Sequence, residues 1–267
     1  TTSSNNHFTN GFCVHSNNYV SMRIDNQFDN GAIVSMPNTG DIDLPASGMT
    51  MNPGLPTSLI PASYRLRALN RLDIWYDAMI NPNHEVYRSY IADPTPINIS
   101  VTGSSHLLEP TDFTRGRVHD LSCRNGPGKA TLKGSVFRDI VIRTENCDIE
   151  FSENTELRDV VIFTKSTDDR SVTAPSGLTV GHRDNCTDGG DAQILTWGGV
   201  DIAGNLELNN GQIIARKDVR FAANADGFMG ASIVSGATIT GTSNMIMGRC
   251  NGGMGGNFEV DYFRLAG

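Results

Sequence analysis

Short apolar stretches recur between residues 130 and 247 at a nearly constant step. Asp139-Ile-Val-Ile and Asp159-Val-Val-Ile lie twenty residues apart and are nearly identical. A second series of stretches runs beside the first, and corners rich in Asn, Gly and Ser separate them. The first series continues with Ile194-Leu195, Ile213-Ile214 and Ile233-Val234, and the second contains Cys147–Phe151, Val200–Ile202, Val219–Phe221 and Thr238–Thr240. Apolar and polar positions alternate with period two, which indicates strands.

A repeat of this length predicts a solenoid of stacked β coils, because no coil can bury its own apolar edge without a neighbour. The predicted class is all-β with a small α insertion, a single-stranded right-handed parallel β-helix. An antiparallel sandwich is the main alternative, and the near-constant step disfavours it. We expect residues 1–267 to form one solenoid domain, interrupted at 45–95 by a loop and a helical insertion.

The insertion contains the one helical pattern of the chain, over residues 64–91. Apolar side chains recur there at spacings of three and four: Leu66, Leu69, Leu72, Trp75, Tyr76 and Met79. The pattern predicts one amphipathic helix, with a second short helix over 84–91. The prolines of residues 37–61 predict an extended loop before it. The insertion either packs on the solenoid or binds a partner around Trp75 and Tyr76.

Composition narrows the classes of partner. The 267 residues carry a formal charge of −8 without a basic cluster, so we expect neither nucleic acid nor anionic lipid as a partner. No stretch reaches the roughly 18 apolar residues of a membrane span. The chain begins with Thr1 and shows no signal peptide. We expect a processed chain, with membrane contact only through a segment absent from it.

The cysteine pattern favours an exported protein. None of the five cysteines forms a C-x-x-C pair, so zinc ribbons and redox motifs are poor interpretations. Cys186 and Cys250 lie in Gly/Asn-rich segments and could form a disulfide. Cys147 lies at an inward strand position and is interpreted as a small buried hydrophobe. The odd count leaves at least one thiol unpaired.

Candidate chemistry is sparse. Asp139 and Asp159 should stack one coil apart, as should Asp201 and Asp218, close enough to hold an ion or share a proton. The alternative is that each aspartate is an ordinary corner residue. The six histidines are scattered and predicted at the surface or in turns, and the acidic loop 184–191 lacks the ligand order of a calcium hand. We therefore assign no catalytic residue, metal site or cofactor.

Several phrases resemble bacterial TadG-related proteins of Tad (tight adherence, Flp) pilus assembly. The phrases keep their order along the chain: Phe12–Ser16, Val34–Pro37, Asp43–Gly48, Asn52–Leu55, Arg138–Ile142, Gly241–Met245, Met247–Cys250 and Asn257–Leu265. The resemblance covers the exported region of such proteins. It implies a cell-envelope role with pilus or envelope proteins as partners, and it implies no catalytic residue.

Three functions follow as hypotheses. The favoured one is a non-enzymatic protein of the periplasm, pilus or cell surface, linked to Tad pilus assembly or surface attachment. The second is a carbohydrate-active β-helix enzyme, a polysaccharide lyase or hydrolase, supported only by Asp139 and Asp159. The third is a glycan-binding adhesive module that uses exposed aromatic side chains such as Trp197, Phe163 or Tyr90.

Overall fold

A computed structural model describes residues 1–62, 68–103, 106–123, 128–182, 192–241 and 244–248, with the backbone alone at residues 68 and 223–226. The protein is a parallel β-solenoid of about ten turns, with 48% of residues in strands and 9% in helices. The predicted fold class is therefore confirmed. The hand of the coil stays a prediction.

The main stack contains the strands from residue 93 onward. They are β6 (Asp93–Val101), β7 (His106–Leu108), β8 (Arg117–Cys123), β9 (Gly128–Leu132), β10 (Val136–Thr144), β11 (Cys147–Phe151), β12 (Thr155–Thr164), β13 (Val172–Ala174), β14 (Leu178–Gly181), β15 (Gln193–Thr196), β16 (Val200–Asn209), β17 (Gln212–Ala215), β18 (Val219–Met229), β19 (Ser232–Ser235), β20 (Ile239–Thr240) and β21 (Ile246–Gly248). Each strand pairs in parallel with a strand of the neighbouring coil, as between β10 and β12.

Alternation along each strand separates two apolar layers. Inward side chains form like-on-like columns inside the coil, as Ile142, Ile162, Ile194 and Ile213 do in successive register. The residues between them point outward, and one outward column is covered by the helical insertion. The sequence therefore buries both faces of these strands, which explains their nearly continuous runs of Ile and Val.

Residues 1–62 form a separate block of coils, the N-terminal block. Its elements are β1 (His7–Phe8), β2 (Cys13–His15), β3 (Gln27–Phe28), β4 (Ile33–Met36), α1 (Leu55–Ser58) and β5 (Leu59–Pro61). Strand β1 pairs with β21 on one side and with β3 on the other. The first coils of the chain therefore stack on its last described coil, so the order of coils differs from the order of the sequence.

Residues 68–92 connect the N-terminal block to the far end of the main stack, and we call them the crossover. A 3-10 turn over Ala68–Arg71 precedes α2 (Leu72–Ala78). Leu69 lies beside Gly236, and the Ala92 N–H donates to the carbonyl of Gly116, five coils away. At about 4.8 Å a coil, the crossover spans about 24 Å of the flank.

The predicted second helix over 84–91 is wrong. These residues form successive turns, such as the one in which the Tyr87 hydroxyl donates to the Ile91 carbonyl at 2.9 Å. Helix α2 ends at Ala78, shortly before Asn81 and Pro82, and the chain then runs along the side of the coils. Residues 63–67, the predicted start of the helix, lie outside the described residues. Among the described residues, no helix has the length and apolar character to cross a membrane.

Residues 45–61 belong to the stack, whereas the sequence predicted them in the interrupting loop. Strand β5 pairs with β4 and forms the last coil at this end. Its outer edge ends at Pro61, and the edge strand at the opposite end, β6, contains Pro94 and Pro96. Proline cannot donate a ladder hydrogen bond, so both ends of the stack are protected against pairing with another edge.

His119 lies inside the coil, contrary to its predicted surface position. Its side chain is 0% exposed, and its ring meets Phe113 edge-on at 5.1 Å between centroids. The alternation of β8 places Val118 outward and His119 inward, opposite Ile142 on the next coil. An isolated polar residue within an alternating strand therefore need not interrupt the apolar column.

Candidate functional site on the crossover flank

Aromatic and basic side chains alternate where the crossover meets the main stack. The guanidinium of Arg143 lies 4.8 Å from the ring centroid of Tyr76, and the Lys165 ammonium lies 4.0 Å from the same centroid. Lys165 also lies 5.4 Å from the ring of Trp197, which Arg216 covers at 4.4 Å. These five residues form what we call the cation–aromatic ladder. Such contacts strengthen when the groups are withdrawn from water.

Arg143 joins the crossover to the coils. Its side chain is 5% exposed, and it donates to both oxygens of Asp120 at 2.8 and 2.7 Å. It also donates to the backbone carbonyl of Tyr76 at 2.6 Å. Burial raises the pKa of the Tyr76 hydroxyl above its ordinary value. Such a pair is costly to break, because removal of Asp120 would leave the buried guanidinium of Arg143 without its carboxylate.

The two residues predicted to bind a partner occupy different environments. Tyr76 is 5% exposed and packs edge-on against Phe163 at 5.2 Å, as the packing alternative predicts. Trp75 is only partly buried at the edge of the same apolar cluster. The residue before it, Ile74, is 62% exposed, the largest exposure among the described large apolar side chains. The solvent-facing apolar surface of α2 therefore consists of Ile74 and part of Trp75.

The aromatic residues proposed for glycan binding do not form an exposed row. Phe163 is fully buried under the crossover. Trp197 and Tyr90 are partly buried and pack against the same cluster. Among the described aromatic residues, only Tyr19 ranks as exposed, and it lies in the N-terminal block.

The stacked aspartates are corner residues. Asp139 and Asp159 have φ values of 53° and 52°, and they share a column of left-handed corners with Gly116, Asn210 and Gly230. Short polar side chains and glycine tolerate this backbone conformation best. The geometry therefore favours the corner alternative over a catalytic pair.

The partners of the aspartates differ as well. Asp139 accepts from the Nε of Arg115 at 2.8 Å, whereas an oxygen of Asp159 lies 4.0 Å from Nε2 of His182. The predicted stacking of Asp201 on Asp218 is wrong, because Asp201 lies opposite Arg220. Within the described ranges, no three His, Cys, Asp or Glu side chains are grouped to hold a metal ion.

Among the cysteines that the structure describes, Cys123 and Cys147 form a disulfide, with their Cα atoms 5.5 Å apart. Cys147 is buried, as its strand position predicted, but it is bonded to a cysteine on the neighbouring coil, which the sequence analysis did not predict. Cys13 is free and exposed. The predicted pair of Cys186 and Cys250 lies outside the described residues.

The cation–aromatic ladder was missed from the sequence, although a signal for it exists. Glu145 and Lys165 are twenty residues apart, and Trp197 and Arg216 are nineteen apart, close to the coil repeat. All four occupy the position just beyond a strand end in successive register. The repeat could therefore have placed them in one column, but it could not show that the crossover supplies Tyr76 between them.

Comparison with protein families matches residues 1–251 to a domain of unknown function, DUF7867. Searches of curated proteins and of solved structures found no significant match. The matched family has no assigned activity, so the resemblance to TadG-related proteins stays a prediction. Because the family match spans nearly the whole sequence, the chain belongs to the DUF7867 family.

Proposed function

We propose that this protein is a non-enzymatic component of the cell envelope or cell surface, a stiff β-solenoid that binds partner proteins on its flank. The observation that carries the proposal is the pairing of acidic side chains on the outer faces with basic ones. The pairs are Asp139–Arg115, Glu150–Lys129, Glu156–Arg158, Asp201–Arg170 and Asp218–Arg220. Carboxylates that are already engaged by basic side chains suit a structural surface better than general acid catalysis.

Export is supported by the bond between Cys123 and Cys147. Disulfides persist in oxidising compartments and are rare in the cytosol. The bond links neighbouring coils, from the last residue of β8 to the first residue of β11, so it strengthens the stack itself. Periplasm, pilus and cell surface are the locations that we propose.

The proposed contact with a partner is the outer face of α2. Ile74 and the partly buried Trp75 supply apolar area, and the exposed residues Asp73 and Asp77 flank them. An apolar centre with a charged rim is typical of protein interfaces. Tyr76 contributes by holding the helix in place from below. The resemblance to TadG-related proteins makes pilus or envelope proteins the partners that we propose.

The proposal is tested in a host strain that lacks the gene. We expect loss of surface attachment, restored by the wild-type protein and by the control Tyr19→Ala but not by Ile74→Asp or Trp75→Ala. Ile74→Asp alters a mostly exposed side chain, so it tests the contact even where Trp75→Ala lowers stability. Thermal unfolding of each purified variant separates lost binding from lost folding.

Two results would overturn the proposal. One is full restoration of attachment by both α2 variants. The other is a protein that fractionates with the cytosol and whose Cys123 and Cys147 are reduced in peptide maps prepared without reductant.

A further inference from the structure

A shallow groove lies on the outer face of strands β11, β13 and β16. Its polar lining consists of Glu150, Thr173, Asp201 and Arg170. The first three stand in register on successive coils, with Thr173 in the middle. Neighbouring coils are about 4.8 Å apart, so the backbones of Glu150 and Asp201 are about 10 Å apart. We call this site the Thr173 groove.

The floor of the groove contains a hydroxyl without a partner. Thr173 is 9% exposed, and its Oγ1 makes no hydrogen bond among the described residues. Ser152 and Ser176, on the turns that follow β11 and β13, also have buried hydroxyls without a partner. Three of the four Ser and Thr hydroxyls in this state therefore belong to one small region. Buried polar groups normally find a partner, so this cluster points to a missing one.

The two walls retain capacity to accept hydrogen bonds. Glu150 uses Oε2 for Lys129 at 2.6 Å, and Asp201 uses Oδ2 for Arg170 at 2.9 Å. The other oxygens, Oε1 of Glu150 and Oδ1 of Asp201, have no partner in the described part of the chain. The side chain of Arg170 is 64% exposed and can donate further. The groove thus offers two acceptors, one donor and a hydroxyl that can do either.

Small apolar residues and a strand irregularity shape the end of the groove. Ala174, Pro175 and Ala203 complete the lining. The register between β16 and β18 shifts after Ile202, and a side chain at Gly204 would meet open space. Irregularities of this kind are frequent beside binding sites. The result is an open, low-walled surface that a ring can lie on.

We propose that the Thr173 groove binds a neutral glycan chain. Sugar hydroxyls can donate to the free oxygens of Glu150 and Asp201 and can accept from Arg170 and Thr173. The C–H face of a sugar ring can rest on the exposed Pro175 and Ala203 at the end of the groove. The two carboxylates would repel a polyuronate or a phosphorylated ligand. This inference goes beyond the proposed partner surface on α2 and does not depend on it.

The test is calorimetric titration of the full chain with cellohexaose, maltohexaose and chitohexaose, with hexagalacturonate as the anionic comparison. We expect at least one neutral oligosaccharide to bind, and Thr173→Val to weaken that binding about fivefold, as the loss of one hydrogen bond would. Because the hydroxyl has no partner in the protein, the unfolding midpoint of Thr173→Val should stay the same or rise. Asp201→Asn and Glu150→Gln should weaken binding as well. Thr240→Val and Asp169→Asn, which lie outside the groove, are the matched controls.

Three results would overturn the inference. They are no binding of any neutral oligosaccharide at millimolar concentration, wild-type affinity in Thr173→Val, and preferential binding of hexagalacturonate. Release of reducing ends by the wild-type protein, abolished in Asp201→Asn, would support the groove as a glycan site. That result would instead overturn the non-enzymatic function proposed above, so the two failures are distinguishable.

Discussion

A single polar residue can occupy the interior of the coil when it forms a hydrogen bond to the backbone of a corner. His119 accepts from the backbone N–H of Thr114 at 3.0 Å through Nε2, and its Nδ1 has no partner among the described residues. The neutral imidazole therefore holds the turn before β8 in place. Burial, and next the charge of Arg117, lower the pKa of His119 to about 4.

This pKa predicts a pH-dependent stability. The unfolded chain binds a proton at His119 near pH 6.5, whereas the folded chain does so only near pH 4. Between these values the unfolded state binds more protons, so the free energy of unfolding falls as the pH is lowered, by about 3 kcal/mol in full. His119→Gln keeps an acceptor without the titration and should flatten this dependence in urea unfolding across the pH series. His84→Gln is the control, and an unchanged slope in His119→Gln would contradict the account.

Side-chain ladders stabilise the short elements of the N-terminal block, where strands of two to four residues form few backbone hydrogen bonds. Asn6, Asn26 and Asn52 are at most 1% exposed and stand one above another. The Oδ1 of Asn26 accepts the Asn6 N–H at 3.1 Å, and the Oδ1 of Asn52 accepts the Asn26 N–H at 2.8 Å. The Oδ1 of Asn6 in turn accepts from Met245, so the ladder continues into the main stack. The side-chain oxygen of each asparagine thus accepts a corner N–H that strand pairing leaves without a backbone partner.

Asn26→Ala should destabilise the block more than a surface change does. It leaves the buried N–H and the side-chain amide of Asn6 without their shared acceptor, and the Arg23 carbonyl keeps only its donor from Asn52. We expect a loss of about 2 kcal/mol in the free energy of unfolding, measured with guanidinium. Asn17→Ala, at an exposed corner, should change it little. Equal effects of the two substitutions would show that the ladder contributes no specific stability.

The sequence predicted those elements that depend on local alternation. Strands such as β10 and β12 could be predicted from their period-two patterns. Every coil in the middle of the stack has a neighbouring coil on each side and must bury apolar side chains in the same way. The spacing of Leu72, Tyr76 and Met79 likewise predicted the buried face of α2. The prediction of the second helix was wrong. The path of residues 81–91 is set by the coils on which they pack and not by their own periodicity.

Other features depend on which distant elements meet. Asn6-His-Phe and Asn26-Gln-Phe repeat at twenty residues, so coils in the N-terminal block were predictable. Their stacking on β21 was not, because open edges of parallel strands are chemically alike and the pattern does not distinguish them. The orphan hydroxyl of Thr173 is similar: a threonine on an outward strand position looks ordinary until its neighbours in register are known.

At the scale of the whole molecule, the crossover lets the N-terminal block stack on the end of the main stack, so that the two form one continuous solenoid. The N-terminal block covers the C-terminal end of the main stack, with Phe8 opposite Met247 in register and stacked on Phe28 at 4.6 Å. Thr9 adds a side-chain hydrogen bond to the Met247 carbonyl at 2.9 Å. The junction thus hides an apolar coil end and an unpaired strand edge, two features that promote aggregation when exposed.

Removal of residues 1–62 should therefore increase self-association of the chain. The deletion uncovers β20 and β21, whose edges carry no proline, while the opposite end of the stack keeps Pro94 and Pro96 on β6. Sedimentation velocity should show large species for the truncated chain at concentrations where the full chain is monomeric. Phe8→Asp should produce the same change more weakly by loosening the junction, whereas Leu107→Asp, an exposed position at the other end, should not. A truncated chain that stays monomeric would mean that the coil end is stable when open, and the N-terminal block would then serve something other than closure.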